Sequence, residues 1–168
     1  KPTEDFKSIE SCVEKEGAYL FANCNLPDTE MANLYNVADC HVSSTSGESF
    51  GLPTLESQAC GTPVIAVNNT TGLELVQAPN SGLLADANYF QTTPLLSSIN
   101  HVDVCSLAET MYLMFSKRNT EQYTMWRNNA INNAKNYDWK IITPAWVSIV
   151  NEVLKVKETN YETGELGL

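Results

Sequence analysis

The order of apolar and polar residues along the chain predicts short strands that alternate with helices. Compact apolar runs between turn residues are typical of strands, and they occupy residues 19–23, 39–44, 63–67 and 82–85. Apolar residues at helical spacing predict helices at residues 1–17, 30–37, 104–116, 120–135 and 143–157, with another from residue 53. This alternation favours an α/β fold in which helices flank a parallel sheet.

Three segments show weaker patterns. Residues 73–76 predict at most a short helix. Residues 86–103 are polar, contain Pro94 and predict a long loop, which we interpret as an insertion that shapes an acceptor or partner surface. Residues 158–168 predict a frayed tail, so one domain is expected to span residues 1–157.

The stretch from Glu48 to Glu56 follows one predicted strand, at the place where ligands bind in α/β folds. Pro53 suits the first position of a helix. Because the N–H groups of a first turn have no acceptors within the helix, they attract anions. We expect such free N–H groups at Gly51, Leu52, Thr54 and Leu55.

Two carboxylates flank this predicted anion site. Glu48 precedes Gly51 and Glu56 lies about one turn into the helix. Gly51 would let a ligand approach the backbone closely. Carboxylates beside a phosphate are suited to accept hydrogen bonds from sugar and ribose hydroxyls, so the stretch predicts a site for a sugar-bearing phosphate ligand.

The string ESFGLPTLE, followed by ACGTPVIA, resembles the glutamate–seven–glutamate motif of the family 4 retaining glycosyltransferases of the GT-B fold. The resemblance extends over residues 20–156. It includes the further landmarks LYNVAD (34–39), ELV (74–76), SGLL (81–84) and YDW (137–139). It implies a Rossmann-like fold, as in the C-terminal half of GT-B enzymes without its first strands, and a domain that binds the nucleotide-sugar donor.

The resemblance also implies roles for individual residues. Glu48 would be the catalytic glutamate beside the reacting sugar carbon, and Glu56 would bind the ribose hydroxyls. The remaining residues expected to bind the nucleotide sugar are Ser49, Phe50, Gly51, Leu52, Thr54 and, at the border of the base, Asn25. The implied reaction is transfer of a hexose from a GDP- or UDP-sugar with retention of configuration. Neither a cofactor nor a metal is implied, and the Asp-x-Asp motif of metal-dependent glycosyltransferases does not occur in the sequence.

The charge distribution limits the possible ligands. The net charge is −10, which argues against nucleic acid and anionic membranes. No Lys or Arg occurs between Glu16 and Ser116, so the cations for a diphosphate are expected from elsewhere. We therefore expect the chain to be the latter part of a larger enzyme, inactive alone, whose N-terminal domain binds a glycan, lipid or protein acceptor.

The cysteines indicate the compartment. The five cysteines are scattered and form no C-x-x-C pair, which favours small buried thiols in a reducing, cytoplasmic setting. Trp139 and Trp146 are interpreted as packing residues. No apolar run is long enough to predict a transmembrane segment.

Two alternatives remain open, and one feature departs from the family pattern. The chain is alternatively a non-catalytic nucleotide-sugar-binding module or partner subunit, or a flavodoxin-like interaction domain. Thr70 and Thr71, followed by Gly72, stand where the family commonly has a glycine pair. The loop is therefore expected to lie farther from the phosphates or to use hydroxyl groups.

Overall fold

A computed structural model describes residues 26–92 and 98–163. The predicted helix at 1–17, the predicted strand at 19–23 and the candidate residue Asn25 lie outside the described residues. The chain divides into two compact units, Lys1–Met31 and Ala32–Leu168. The sheet and the motif belong to the second unit.

Three short parallel strands form the sheet that carries the motif. They are β1 (His41–Ser43), β2 (Val64–Val67) and β3 (Gly82–Ala85), in the order β1-β2-β3. Val42 pairs with Ile65, and Ile65 pairs with Leu83. The predicted parallel sheet flanked by helices is confirmed, and its central strand β2 is buried throughout.

The helices lie close to their predicted positions. Helix α1 (Asp28–Val37) precedes β1, and α2 (Leu52–Ala59) joins β1 to β2. Helix α3 (Thr70–Gly72) continues as a π-helical turn (Leu73–Gln77) and joins β2 to β3, so this helical segment is longer than predicted. Three helices follow the sheet: α4 (Val104–Lys117), α5 (Glu121–Asn136) and α6 (Trp139–Thr163).

Helix α6 begins earlier and ends later than the predicted 143–157. The Asp138 side chain accepts a hydrogen bond from the Lys140 N–H at 2.8 Å, and the Asp138 carbonyl accepts from Ile141 and Ile142. Because of this cap the helix begins at Trp139, and Pro144 lies inside it and not at its start, as the predicted boundary of 143 had implied. The helix extends to Thr163, into the segment predicted as a frayed tail.

The prediction of a loop at 86–103 is wrong. The segment forms an antiparallel hairpin of β4 (Ala87–Thr92) and β5 (Ser98–Val102), with a bulge between Ala87 and Tyr89. The Asp103 N–H donates to the Asp86 carbonyl at 2.7 Å and closes the base of the hairpin. Its strands are held by backbone pairing, which a polar composition does not reveal.

Strand β2 divides the core into two faces. Val64 and Ala66 pack with Val76 of the π-helical turn on one face. Ile65 packs with Met114 and Trp126 on the other, against helices α4 and α5. Because side chains alternate along a strand, a short run of four apolar residues supplies both layers. No helix within the described residues is long and apolar enough to cross a membrane.

Candidate functional site

The candidate site begins where the loop after β1 turns into helix α2. Gly51 caps this helix in the left-handed conformation, with φ 87° and ψ 51°, and its carbonyl accepts from the N–H groups of Thr54 at 3.0 Å and Leu55 at 3.3 Å. The expected free donors at Thr54 and Leu55 are therefore wrong, because the turn closes one residue earlier than assumed. Within residues 26–92 and 98–163 no acceptor is bonded to the N–H group of the buried Gly51 or to that of the exposed Leu52.

Three side chains surround the position that a Cβ atom would take at Gly51. It would lie 3.3 Å from Leu75 Cδ1, 3.5 Å from Glu48 Cγ and 3.7 Å from Thr54 Oγ1. Only the contact with Leu75 is tighter than ordinary van der Waals contact. Glycine is needed here chiefly for its positive φ, and Glu48 folds back over the turn.

Helix α2 separates its residues into two faces. Thr54 is buried, together with Leu55, Ser57 and Gln58. Leu52 and Glu56 are exposed, and in the preceding loop Phe50 is 41 % exposed while Glu48 is half-buried. The predicted binding residues thus do not form one surface, because the buried Thr54 lies on the core side of the helix.

The Glu56 carboxylate accepts a hydrogen bond from a residue of helix α1. The Tyr35 hydroxyl donates to Glu56 Oε2 at 3.1 Å. Burial and the nearby Glu56 carboxylate raise the pKa of Tyr35 to about 12. The Tyr35 and His41 rings meet edge to face with centroids 5.8 Å apart. Burial lowers the pKa of His41, which the charge of Glu56 partly opposes.

His41 Nε2 is buried and has no hydrogen-bond partner among the described residues. Glu56 therefore lies in a polar cluster with Tyr35 and His41. Glu48 instead packs against Gly51 at the other end of the motif loop. The two glutamates therefore have different surroundings.

A cavity of about 710 Å³ opens between helices α2, α5 and α6. Phe50, Leu52 and Glu56 of the motif line it, together with Lys135. The Phe50 and Tyr137 rings meet at the cavity with centroids 5.6 Å apart. Lys135 was missed in the sequence because only the packing of α5 against α2 brings it near the motif; its place just before the YDW landmark is the one local signal.

The two tryptophans of α6 also line this cavity. Trp139 is 75 % exposed and Trp146 is 62 % exposed, so their interpretation as packing residues is wrong. Periodicity placed Trp146 on the predicted helix 143–157 but left Trp139 before it, and it did not show that these side chains are exposed.

The hairpin of β4 and β5 is attached to the loop that precedes Glu48. The Asn100 N–H donates to the Ser46 carbonyl at 3.1 Å. The Ser46 hydroxyl and His101 Nδ1 lie 3.4 Å apart. The segment predicted to be a surface-shaping insertion therefore contacts the motif loop itself.

The loop after β2 shows how the chain does without the glycine pair. Thr70 has a φ of 22°, in the region that favours glycine. A Cβ atom at Gly72 would clash with the Val67 carbonyl oxygen, so Gly72 permits the close approach of α3 to β2. Asn69 beside them is 7 % exposed, and its Nδ2 has no partner within the described part of the chain.

The sequence of the chain matches known glycosyltransferases. The sequence profile described as "Glycosyl transferases group 1" matches residues 9–100. The chain belongs to this family. Over 63 residues this group 1 glycosyl transferase chain is 46% identical to the D-inositol 3-phosphate glycosyltransferase of Corynebacterium jeikeium, a stretch that covers 37% of the chain and 15% of that relative.

Solved structures share the fold. The chain resembles a glycosyltransferase from Rickettsia africae with a TM-score of 0.69 at 20% identity, over 89% of the chain and 36% of that protein. It resembles the sucrose-phosphate synthase of Thermosynechococcus elongatus with a TM-score of 0.67 at 19% identity, over 90% of the chain and 35% of that protein. The Rossmann-like α/β fold is that of GT-B glycosyltransferases, and the chain spans about a third of these proteins' length.

Proposed function

We propose that residues 1–157 are the donor-binding domain of a retaining glycosyltransferase that uses a nucleotide-diphosphate sugar. The observation that carries the proposal is the start of helix α2, where Gly51 adopts a left-handed conformation between Glu48 and Glu56. The N–H groups of Gly51 and Leu52 meet no acceptor in the described part of the chain, and they suit an anionic phosphate.

Each part of the donor has a proposed partner in the motif. The half-buried Glu48 contacts the transferred sugar near its reacting carbon, and the loop amides from Ser49 to Leu52 hold the sugar and the β-phosphate. The exposed Glu56 accepts hydrogen bonds from the ribose hydroxyls. The bond between the anomeric carbon and the phosphate oxygen breaks while the acceptor oxygen bonds to the same face of that carbon, and the proton of the acceptor hydroxyl passes to the leaving phosphate. The amides stabilise the remaining charge on this phosphate.

The proposed reaction needs no metal, and we expect transfer to continue in the presence of a chelator. Cys40, Cys60 and Cys105 are free thiols, and they are half-buried or exposed and not buried as predicted. Free thiols support a cytoplasmic location. The acceptor, a glycan, lipid or protein, is proposed to bind outside the motif. Lys135 lines the same cavity as Glu56 and is a candidate cation for the donor's phosphates.

Titration of the purified chain with GDP, UDP and ADP tests the donor site by calorimetry and thermal shift. We expect one nucleotide to bind. At 100 times its dissociation constant, a ligand stabilises the folded state by about 2.7 kcal/mol. Glu56→Ala should abolish most of this stabilisation, while Glu109→Ala, which removes an exposed carboxylate on helix α4, should leave it unchanged.

The same titration separates the alternatives. If a nucleotide binds with the same affinity to the wild type and to Glu56→Ala, the proposed site is contradicted. Binding without any sugar transfer, when the chain is supplied with the rest of its protein, would favour the non-catalytic module. Absence of binding to all three nucleotides in that complete protein would contradict the donor-site proposal.

A further inference from the structure

Tyr35 and Glu56 form a contact that joins two separate elements of the fold. Tyr35 lies on helix α1, and its hydroxyl donates to Glu56 Oε2 on the motif helix α2 at 3.1 Å. The two residues are 21 positions apart in the sequence. The contact therefore exists only because the folded chain brings the end of α1 beside α2.

Both ends of Tyr35 are fixed. The Thr62 hydroxyl donates to the Tyr35 carbonyl at 2.7 Å and ties the end of α1 to the turn before β2. The Tyr35 ring is half-buried and rests edge to face on His41, the first residue of β1. The hydroxyl is thus held relative to the sheet and not only relative to its own helix.

The Tyr35 hydroxyl remains protonated and can donate a hydrogen bond throughout the physiological pH range. Burial and the Glu56 carboxylate raise the pKa of Tyr35 to about 12, so the phenol keeps its proton across the physiological range. A carboxylate has two oxygens with about four acceptor positions, and Tyr35 uses one of them on Oε2. No described residue donates to Oε1, and the Glu56 side chain is exposed, so this oxygen can accept a hydrogen bond from a ligand.

We propose that Tyr35 is a positioning residue, whose hydroxyl holds the Glu56 carboxylate in the orientation that receives the vicinal diol of a nucleotide ribose. This inference rests on the proposed function. Without the hydroxyl, the exposed Glu56 side chain samples several rotamers and loses rotational freedom only when the ligand binds. The expected consequence is weaker binding of a ribose and unchanged binding of a sugar that lacks the diol.

The test compares GDP and UDP with their 2′,3′-dideoxy counterparts, using calorimetry on the wild-type chain and on Tyr35→Phe. In the wild type, the ribonucleotide should bind more tightly than its dideoxy counterpart. Tyr35→Phe should weaken the ribonucleotide by about fivefold, the effect of one hydrogen bond, and leave the dideoxy nucleotide unchanged. In Glu56→Ala the effect of Tyr35→Phe should disappear, because this substitution removes the carboxylate on which the Tyr35 hydroxyl acts.

A matched control is available in helix α5. The Tyr123 hydroxyl donates to the Asp39 carbonyl at 2.7 Å, away from the motif, so Tyr123→Phe removes a similar tyrosine hydrogen bond. It should leave the preference for ribose unchanged. If Tyr35→Phe does not fold, Tyr35→Met, a smaller and more flexible apolar side chain without a hydroxyl, serves in its place.

The outcomes distinguish this inference from the proposed function. If the wild type binds the nucleotide but does not prefer ribose, the proposed role of Glu56 fails. If the wild type prefers ribose and Tyr35→Phe keeps the full preference, the positioning role is overturned. If Tyr35→Phe weakens both nucleotides equally, the positioning role is also overturned, because Tyr35 then has a structural role only. If Tyr35→Phe binds the ribonucleotide more tightly than the wild type does, the role is overturned because the Tyr35 hydroxyl then competes with the ribose for Glu56.

Discussion

Asn133 of helix α5 donates its side-chain N–H to Gln58 Oε1 of the motif helix at 2.8 Å. Both side chains are buried. Gln58 Nε2 in turn donates to the Leu75 carbonyl at 2.6 Å and lies 2.8 Å from the Ser81 hydroxyl. One amide side chain therefore connects α2 to α5, to the π-helical turn and to the start of β3.

Gln58→Leu should destabilise the fold strongly. The substitution keeps the volume but leaves Asn133 Nδ2 and the Leu75 carbonyl with fewer partners, and each buried polar group that loses its partner costs about 1–3 kcal/mol. Chemical denaturation measures the loss in the free energy of unfolding. Gln122→Leu on the exposed side of α5 is the control and should change it by less than about 0.5 kcal/mol. Equal effects of the two substitutions would mean that the network does not stabilise the fold.

Gly51→Ala should reduce stability and nucleotide binding together. A residue with a Cβ atom in the left-handed conformation costs about 1–2 kcal/mol, and Gly51 has a φ of 87°. Gly47→Ala is the matched control in the same loop, because nothing lies within 4 Å of a Cβ atom there. Denaturation and nucleotide titration of both variants check the prediction, which fails if Gly47→Ala has the larger effect.

Thr70→Gly should be better tolerated than Thr71→Gly. Thr70 has a φ of 22°, where a β-branched residue is strained by about 1 kcal/mol or more. Glycine relieves this strain and offsets its own cost in the unfolded chain. Thr71 has no such φ, so Thr71→Gly should cost about 0.5–1 kcal/mol without compensation. Thermal unfolding of both variants measures the difference, and equal losses would show that Thr70 is not strained.

His41 should make the stability of the fold depend on pH. Burial lowers the pKa of His41 in the folded chain below its ordinary value of 6.5. The unfolded chain therefore binds the proton more readily than the folded chain. The contribution of neutral His41 to the free energy of unfolding is complete above pH 6.5, and it is lost as the pH falls through 6.5 toward the lower pKa of the folded chain. The free energy of unfolding of the wild type should fall more steeply than that of His41→Gln between about pH 7.5 and about pH 5.5.

A second variant strengthens the pH test. The negative charge of Glu56 raises the pKa of His41 and so opposes the effect of burial. In Glu56→Gln the pKa of His41 should fall further, and the pH dependence should become steeper than in the wild type. Parallel pH profiles for the wild type and His41→Gln would contradict the assignment.

The sequence by itself determined the central unit of the fold. The apolar run of β2 and Pro53 at the start of α2 are local signals, since each depends on side-chain burial or backbone angles within a few residues, whereas the role of Gly51 as the left-handed cap came only from the structure. They were sufficient for the parallel sheet and for the position of the motif. The string from Glu48 to Glu56 likewise carried the resemblance that the group 1 family match supports.

Only the tertiary structure decided what surrounds that motif. Tyr35 reaches Glu56, Lys135 reaches the cavity, and Asn100 reaches the Ser46 carbonyl through packing between distant segments. Periodicity reports which face of an element is apolar but not which element covers it. The hairpin was missed because its strand-favouring residues, Tyr89, Phe90, Ile99 and Val102, stand among polar residues without a clear alternation, so the pairing of the two strands became visible only in the structure.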